Sequence, residues 1–317
     1  MKSKSELKDL TLIQIIERFN TDGKARLHLE SVLWPNGAVC PHCKCDDPAQ
    51  IAERRANPEK KIRAGLRFCS NCEKQFTVTI GTIFEDSHIP LRKWLVAWYL
   101  LCSSKKGISS LQLQRILELG SYRTALFMAH RIRHALKETN YAEKMAGIIE
   151  ADDCFIGGVA LGTGGGSTAG GKIPVMAMVQ RGGQVRSKVM PTVNGANLKQ
   201  AIRENVKINS ELHTDAHFGY RGLEHEYHHK SVKHNAGEYS RHEGENVVTT
   251  ASVESFFSLL KRGVIGTFHH VSAQHLPLYL AEFDHRHNYR KVTDGERTDA
   301  GLQMAQGKRL MYKNRAS

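Results

Sequence analysis

Several features are scarce in this chain of 317 residues, and each scarcity removes a class of explanation. No apolar run approaches the roughly 18 residues that a membrane-spanning helix needs, so a membrane is not an expected partner. The opening stretch, MKSKSELKDL, is charged and has no apolar centre, so it does not read as a secretory leader. Acidic residues are outnumbered: 32 Asp and Glu stand against 45 Lys and Arg, a net charge of +13. A surplus of that size points to a polyanionic partner, most often nucleic acid. Cysteines number seven, an odd count that, without a leader, favours a reducing compartment and metal ligation over disulfides. There is no internal repeat. Hydrophobic residues, at 40%, suffice for a sizeable core, and the length allows two or three domains.

Four of the cysteines form two pairs, Cys40-Pro-His-Cys43 and Cys69-Ser-Asn-Cys72, with 25 residues between them. Each pair can present two sulfurs to one ion, and tetrahedral Zn²⁺ takes four thiolates, so the spacing predicts a structural zinc ribbon. His42 and Cys45 are nearby spare ligands. The segment between the pairs, ERRANPEKKIRAGLR, is polar and basic: a solvated hairpin, or a contact for DNA phosphates. Phe76 to Ile80 alternates as a strand would.

Residues 8 to 34 read as largely helical with a break at Asp22-Gly23. Residues 90 to 138 read as helices, with Pro90 at a start and Ser109 or Ser110 capping a short helix. Gly120 ends that helix, and a longer one follows to about Lys137. Short helix, Gly-containing turn and longer helix make a helix-turn-helix pattern. Arg123, Arg131 and Arg133 on the second helix are the residues expected to contact DNA, although helix pairs are common without that role.

In the second half, IIEADDCFIGG (148–158) reads as a strand, with Glu150 and Asp152 on one face and Asp153 on the other. The glycine-rich link after it contains GSTAGGK (166–172), spaced like a phosphate loop. Ile173-Pro174 follows where that motif requires Ser or Thr and a helix, so a hairpin tip is the better account. Two antiparallel strands joined at Arg181-Gly-Gly, a helix over 197–206 and a strand ending near Asp215 come next. His225, His228, His229 and His234 read as polar surface. TTASVESFFSLLKRG (249–263) is an amphipathic helix with Glu254 beside its apolar stripe. Lys261 lies almost two turns on, about 10 Å along the axis; the pair suits a metal-bound phosphate, or is an ordinary charged edge. A last helix spans 274–290, and the polar, basic residues after it are expected to be loosely ordered.

Three acids thus stand on three elements, Asp152, Asp215 and Glu254, with 62 and 38 residues between them. The order strand, hairpin, helix, strand, helix is compatible with an α/β, ribonuclease-H-like fold. Carboxylates brought together repel one another unless cations join them. Two Mg²⁺ (or Mn²⁺) ions remove that penalty and equip the site for in-line displacement at phosphorus.

At these residues the chain resembles the bacterial DDE transposases of insertion sequences with an N-terminal zinc ribbon, the group numbered fifteen-ninety-five. The resemblance rests on WPNGAVCPHC, FCSNC, FTVTIGTIFEDSHIPLRKW, EADDCFIGG, HTDAHFGY, VESFFSLLKRGVIGTFHHVS and HLPLYLAEFDHRHNYR. It implies that Asp152, Asp215 and Glu254 are the catalytic, metal-binding triad, and that Lys261, with Arg262 beside it, steadies the DNA end. It implies double-stranded DNA partners (inverted-repeat ends and target DNA), a homodimer or larger assembly, and a bacterial cytoplasmic, nucleoid-associated location. The family commonly has asparagine three residues before the glutamate, where this chain has Ala251, so an inactive DNA-binding derivative is the alternative. The expected organisation is an N-terminal helical segment (1–36), zinc ribbon (37–88), helix-turn-helix-like region (89–140), catalytic domain (145–292) and basic tail (293–317).

Overall fold

A computed structural model describes residues 10–138, 141–157, 171–244 and 246–311; most of the glycine-rich link lies outside them. The chain divides into two compact units. One comprises Met1–Ser104, Ile108–Lys137 and Arg290–Ser317, and the other Lys105–Gly107 and Glu138–Tyr289.

The first unit begins with α1 (Leu12–Arg18) and α2 (Asp22–Leu33). The break falls at 19–21 rather than at Asp22-Gly23, because the Thr21 side chain caps α2 by accepting from the Lys24 N–H and Asp22 suits the first turn. Three short antiparallel strands follow, β1 (Ile51–Glu53), β2 (Arg67–Cys69) and β3 (Lys74–Phe76), in that order. The expected strand over 76–80 stops at Phe76. Ile80 donates back to the Thr77 carbonyl at 3.1 Å, and the Thr82 hydroxyl donates to the Thr79 carbonyl at 2.6 Å; such local bonds compete with a ladder. Helices α3 (Leu91–Ser103), α4 (Ser110–Ile116) and α5 (Tyr122–Leu136) complete the run, with Ser109 and Ser121 capping the last two.

The second unit is built on a five-stranded sheet. Its strands are β4 (Ile148–Ile156), β5 (Ile173–Gln180), β6 (Val185–Val189), β7 (Glu211–Asp215) and β8 (His228–Val232), ordered β6-β5-β4-β7-β8. β4, β5 and β6 are antiparallel, and β4, β7 and β8 are parallel. The crossover from β6 to β7 carries α6 (Gly195–Asn205). Three antiparallel strands extended by two parallel ones, with a helical crossover, is the ribonuclease-H-like topology. A separate hairpin, β9 (Ser240–Glu243) and β10 (Asn246–Thr249), leads into α7 (Ala251–Gly263), and α8 (Leu276–Asn288) follows. One face of the sheet packs against α7 and α8 through Val175, Ala177, Val179, Phe257 and Phe283. The other packs against α6 through Ile149, Met176, Met178 and Leu198. α7 closes on α8 at Gly263, where a Cβ would run into the Phe283 ring and the Lys106 carbonyl.

Residues 291–311 are not a loose tail. α9 (Asp294–Gln303) opens with a capping box between Thr293 and Glu296, and its Leu302 is buried in the core of the first unit with Leu29, Trp94 and Trp98.

Candidate functional site

The sheet sets the positions of two of the three acids. β4 and β7 run in parallel with Glu150 beside His213. Two residues further along each strand, alternation returns Asp152 and Asp215 to that same face. The face is the one α7 covers: Cys154 and Ile156, which share it, pack with Val253, Phe256, Phe257 and Leu260. Asp153 points to the opposite side, where Ala151 packs with Tyr220. Glu254 lies in the first turn of α7.

Short hydrogen bonds hold each acid. Asp152 Oδ1 accepts from the Asp153 N–H at 2.8 Å, and Asp215 Oδ1 accepts from the His217 N–H at 3.2 Å. The Thr250 hydroxyl donates to Glu254 Oε1 at 2.6 Å. His234 Nε2 lies 3.4 Å from that same oxygen, so His234 is part of the site's surroundings rather than the plain surface expected of it.

The acids feel one another. Burial pushes the Asp152 carboxyl up to about 7, with repulsion from Asp215, Asp153 and Glu254 adding to it and the Asp153 N–H opposing it. Asp153 is raised by burial and by Asp215, against the pull of His217 and Tyr220. The buried Tyr220 hydroxyl is pushed well above its ordinary value by desolvation and by Asp153, Asp152 and Asp215. An all-oxygen donor set of carboxylates suits Mg²⁺ or Mn²⁺. Lys261 and Arg262 are exposed on α7. Lys261 is close enough to oppose the burial that pushes the Cys154 thiol up to about 12.

In the first unit Cys40, Cys43, Cys69 and Cys72 present sulfurs that all lie within 4.8 Å of one another, the one such group of metal-ligating side chains among the described residues. The three acids are therefore gathered less tightly than the thiolates. The Cys40–Cys72 and Cys43–Cys69 sulfurs are 3.6 Å apart, near the roughly 3.8 Å edge of a tetrahedron with Zn–S bonds of about 2.3 Å. The Cys45 backbone and the Asn71 amide pull the Cys43 thiol down to about 6, while burial and the neighbouring thiols push Cys72 up to about 12; a dication among the four would favour all of them as thiolates. His42 and Cys45 stand outside the group. The donor set fits a closed, structural zinc site.

The helix-turn-helix arginines divide. Arg123 is exposed at the start of α5. Arg131 and Arg133 are only 7% and 0% exposed, and Arg131 donates to the Glu85 carbonyl at 2.7 Å while lying over the Trp94 ring. These two serve the interior of the unit, which corrects their expected place on a DNA-reading surface: they stand about 200° apart on α5, whose second half is covered on both sides. Arg54, Arg55, Lys60, Lys61 and Arg63 are all exposed on the segment between β1 and β2.

The sequence reading missed Arg181, His213 and Ser252, which bond around Glu150 beneath the acids. Only Glu150 carried a signal, its shared face with Asp152.

Two family models match this chain in order: a transposase zinc-ribbon domain over residues 20–75 and an ISXO2-like transposase domain over residues 144–288. A protein of Halobacterium salinarum described as an uncharacterized protein in transposable element ISH50 is 25% identical over 289 residues, covering 86% of this chain and 92% of its own. Among solved structures, a pre-cleavage Mos1 transpososome matches at 14% identity and a TM-score of 0.26, covering 63% of this chain and 72% of the other. The Mos1 strand transfer complex matches at 14% and 0.26, covering 67% and 74%. The chain thus matches, in sequence order, the two domains of IS1595-type transposases, a zinc ribbon and an ISXO2-like transposase domain.

Proposed function

We propose that the protein binds the inverted-repeat ends of an insertion sequence, cleaves DNA there and joins the freed 3′-hydroxyl to target DNA. The observation that supports this reading is that Asp152 and Asp215 share the sheet face that α7 covers, with Glu254 in the first turn of α7, near enough for Asp215 and Glu254 to add to the burial that raises the Asp152 carboxyl to about 7. These three residues would hold two Mg²⁺ or Mn²⁺ ions, which supply activation of an attacking hydroxyl and neutralisation of charge at phosphorus. The chain's own groups do the rest. Lys261 and Arg262, further along α7, hold the DNA backbone, and Arg123 and the basic β1–β2 segment bind further phosphates. Zn²⁺ held by the four cysteines keeps that segment folded. Two ends must be held at once, so a homodimer or larger assembly acts, in the bacterial cytoplasm at the nucleoid. The chain divides in this reading into a helical start (1–36), ribbon (37–88), helix-turn-helix-like region (89–140), catalytic domain (145–292) and basic tail (293–317), whose α9 belongs to the first compact unit.

The test is Asp215→Ala. Mg²⁺-dependent cleavage of a labelled terminal-repeat duplex is expected to fall below detection, while binding to the same duplex changes less than about threefold. Cleavage that survives the substitution removes Asp215 from the mechanism. Ala251, exposed at the first position of α7, keeps a second reading open, an inactive DNA-binding derivative. That reading requires end binding by the unaltered chain with no cleavage in Mg²⁺ or Mn²⁺.

A further inference from the structure

Beneath the three acids lies a second layer of polar side chains, each two residues before one of them: Glu150 before Asp152, His213 before Asp215, and Ser252 before Glu254. Arg181, in the turn between β5 and β6, joins that layer. Its Nε and Nη2 donate to Glu150 Oε1 at 3.1 and 2.8 Å, and Nη2 lies 3.3 Å from His213 Nδ1. Its Nη1 donates to the Val247 carbonyl at 2.9 Å, in the strand that leads into α7.

Glu150 is fully buried. Its Oε2 accepts from the Ser252 N–H at 2.6 Å and the Val253 N–H at 3.3 Å. Its Oε1 accepts from the Ser252 hydroxyl at 3.0 Å. Thr250 makes no side-chain cap to α7, so a carboxylate from the central strand caps the helix instead, where the helix dipole favours negative charge. His213 Nε2 lies 2.9 Å from Glu211 Oε1. With the proton on Nε2, Nδ1 is left to accept from Arg181 and from the Thr249 N–H at 3.3 Å. The Arg181 guanidinium therefore ties the two strands that bear acids to each other, and its partner Glu150 ties in the helix.

We infer that Glu150, Arg181, His213 and Ser252 form a positioning clamp that sets the spacing of Asp152, Asp215 and Glu254 for divalent metal. The inference rests on the proposed role of those acids. An ordinary buried ion pair would steady the fold anywhere in the sheet. This one bonds to the residue two before each acid, one pleat or half a turn away, so a shift in it moves all three carboxylates relative to one another. Neighbours that orient metal ligands are commonly worth 10- to 100-fold in metal affinity.

The experiment titrates Mn²⁺ into the full-length, zinc-loaded protein without DNA, reading free Mn²⁺ by electron paramagnetic resonance, with circular dichroism and thermal melting alongside. Arg181→Met separates geometry from charge. Removing a cation near carboxylates would by itself tighten Mn²⁺ binding, whereas loss of the clamp weakens it, about tenfold. Glu150→Gln is expected to weaken it to a similar extent. Ser252→Ala loses only one hydroxyl bond, serves if the others fail to fold, and is expected to weaken binding about threefold. A lowered melting temperature with an unchanged Mn²⁺ midpoint in the folded variants makes the network merely structural and overturns the clamp, as does tighter binding in Arg181→Met. If the unaltered chain binds no Mn²⁺ beyond what Asp152→Asn binds, the reading of the acids fails and the clamp fails with it. Binding by the unaltered chain that Arg181→Met, Glu150→Gln and Ser252→Ala all match removes the clamp alone.

Discussion

At the scale of single residues, burial decides which charges matter. Asp284 on α8 is buried, its Oδ2 accepting from the Ser187 N–H at 3.0 Å and its Oδ1 from the Ser187 hydroxyl at 2.7 Å. Desolvation outweighs those bonds and raises its carboxyl from 3.8 to about 7. A carboxyl raised on folding holds a proton that the unfolded chain releases. Its stabilising contribution is complete below about 4 and is lost as pH rises through about 7. Asp284→Asn keeps a neutral, hydrogen-bonding group at every pH. Thermal melts from pH 5 to 8 should show a flatter profile for this variant, with a gain of about 1–3 kcal/mol at pH 8; a profile parallel to that of the unaltered chain would contradict the assignment. The same logic separates the arginines of α5. Arg133→Ala, at a fully buried position, is expected to cost stability of about 3 kcal/mol. Arg123→Ala, at an exposed one, should weaken DNA binding and leave the melting temperature nearly unchanged.

At the scale of elements, α7 and α9 show how local signals and packing cooperate. α7 carries Glu254 at its start and buries Val253, Phe256, Phe257 and Leu260 along one face, so the stripe that docks the helix also orients the acid. Gly263→Ala would force the Phe283 ring and the Lys106 carbonyl apart; a loss of about 2 kcal/mol is expected in denaturant unfolding. The capping box of α9 is legible as Thr293-x-x-Glu296 in the sequence, yet the surrounding polarity hides it, because only Leu302 and Ala305 supply large buried contacts near its end. Thr293→Ala is expected to destabilise the first unit by about 1 kcal/mol, read as a lower melting temperature. The zinc ribbon is expected to depend on an ion in the same way: its three strands are three residues each, too short to fold alone. Chelation, or Cys69→Ser, should abolish its protease resistance, since such sites contribute on the order of 10 kcal/mol.

At the scale of the whole molecule, the charge of +13 suits the proposed DNA partner. Binding to a terminal-repeat duplex should fall with salt on a log–log slope of about −0.9 for each phosphate neutralised. Replacing Arg54, Arg55, Lys60, Lys61 and Arg63 together with alanine should flatten that slope by about 3 or more while sparing the melting temperature. An unchanged slope would take that segment off the DNA.

What the sequence determined alone is what short-range physics controls. Two knuckles of fixed spacing specify a four-sulfur site, and helical periodicity specifies α4, α5 and α7. Strand alternation puts Glu150 and Asp152 on one side. What only tertiary structure decided is which polar groups end up enclosed. Arg131 and Arg133 look like DNA-reading residues, but they stand about 200° apart on α5, whose second half is covered on both sides. Arg181, His213 and Ser252 look like a turn residue, a strand residue and a helix start until the sheet order brings them to one carboxylate. Periodicity reports the faces of an element, whereas burial of a charge depends on what packs against that face, and that is written in contacts between residues far apart in the chain.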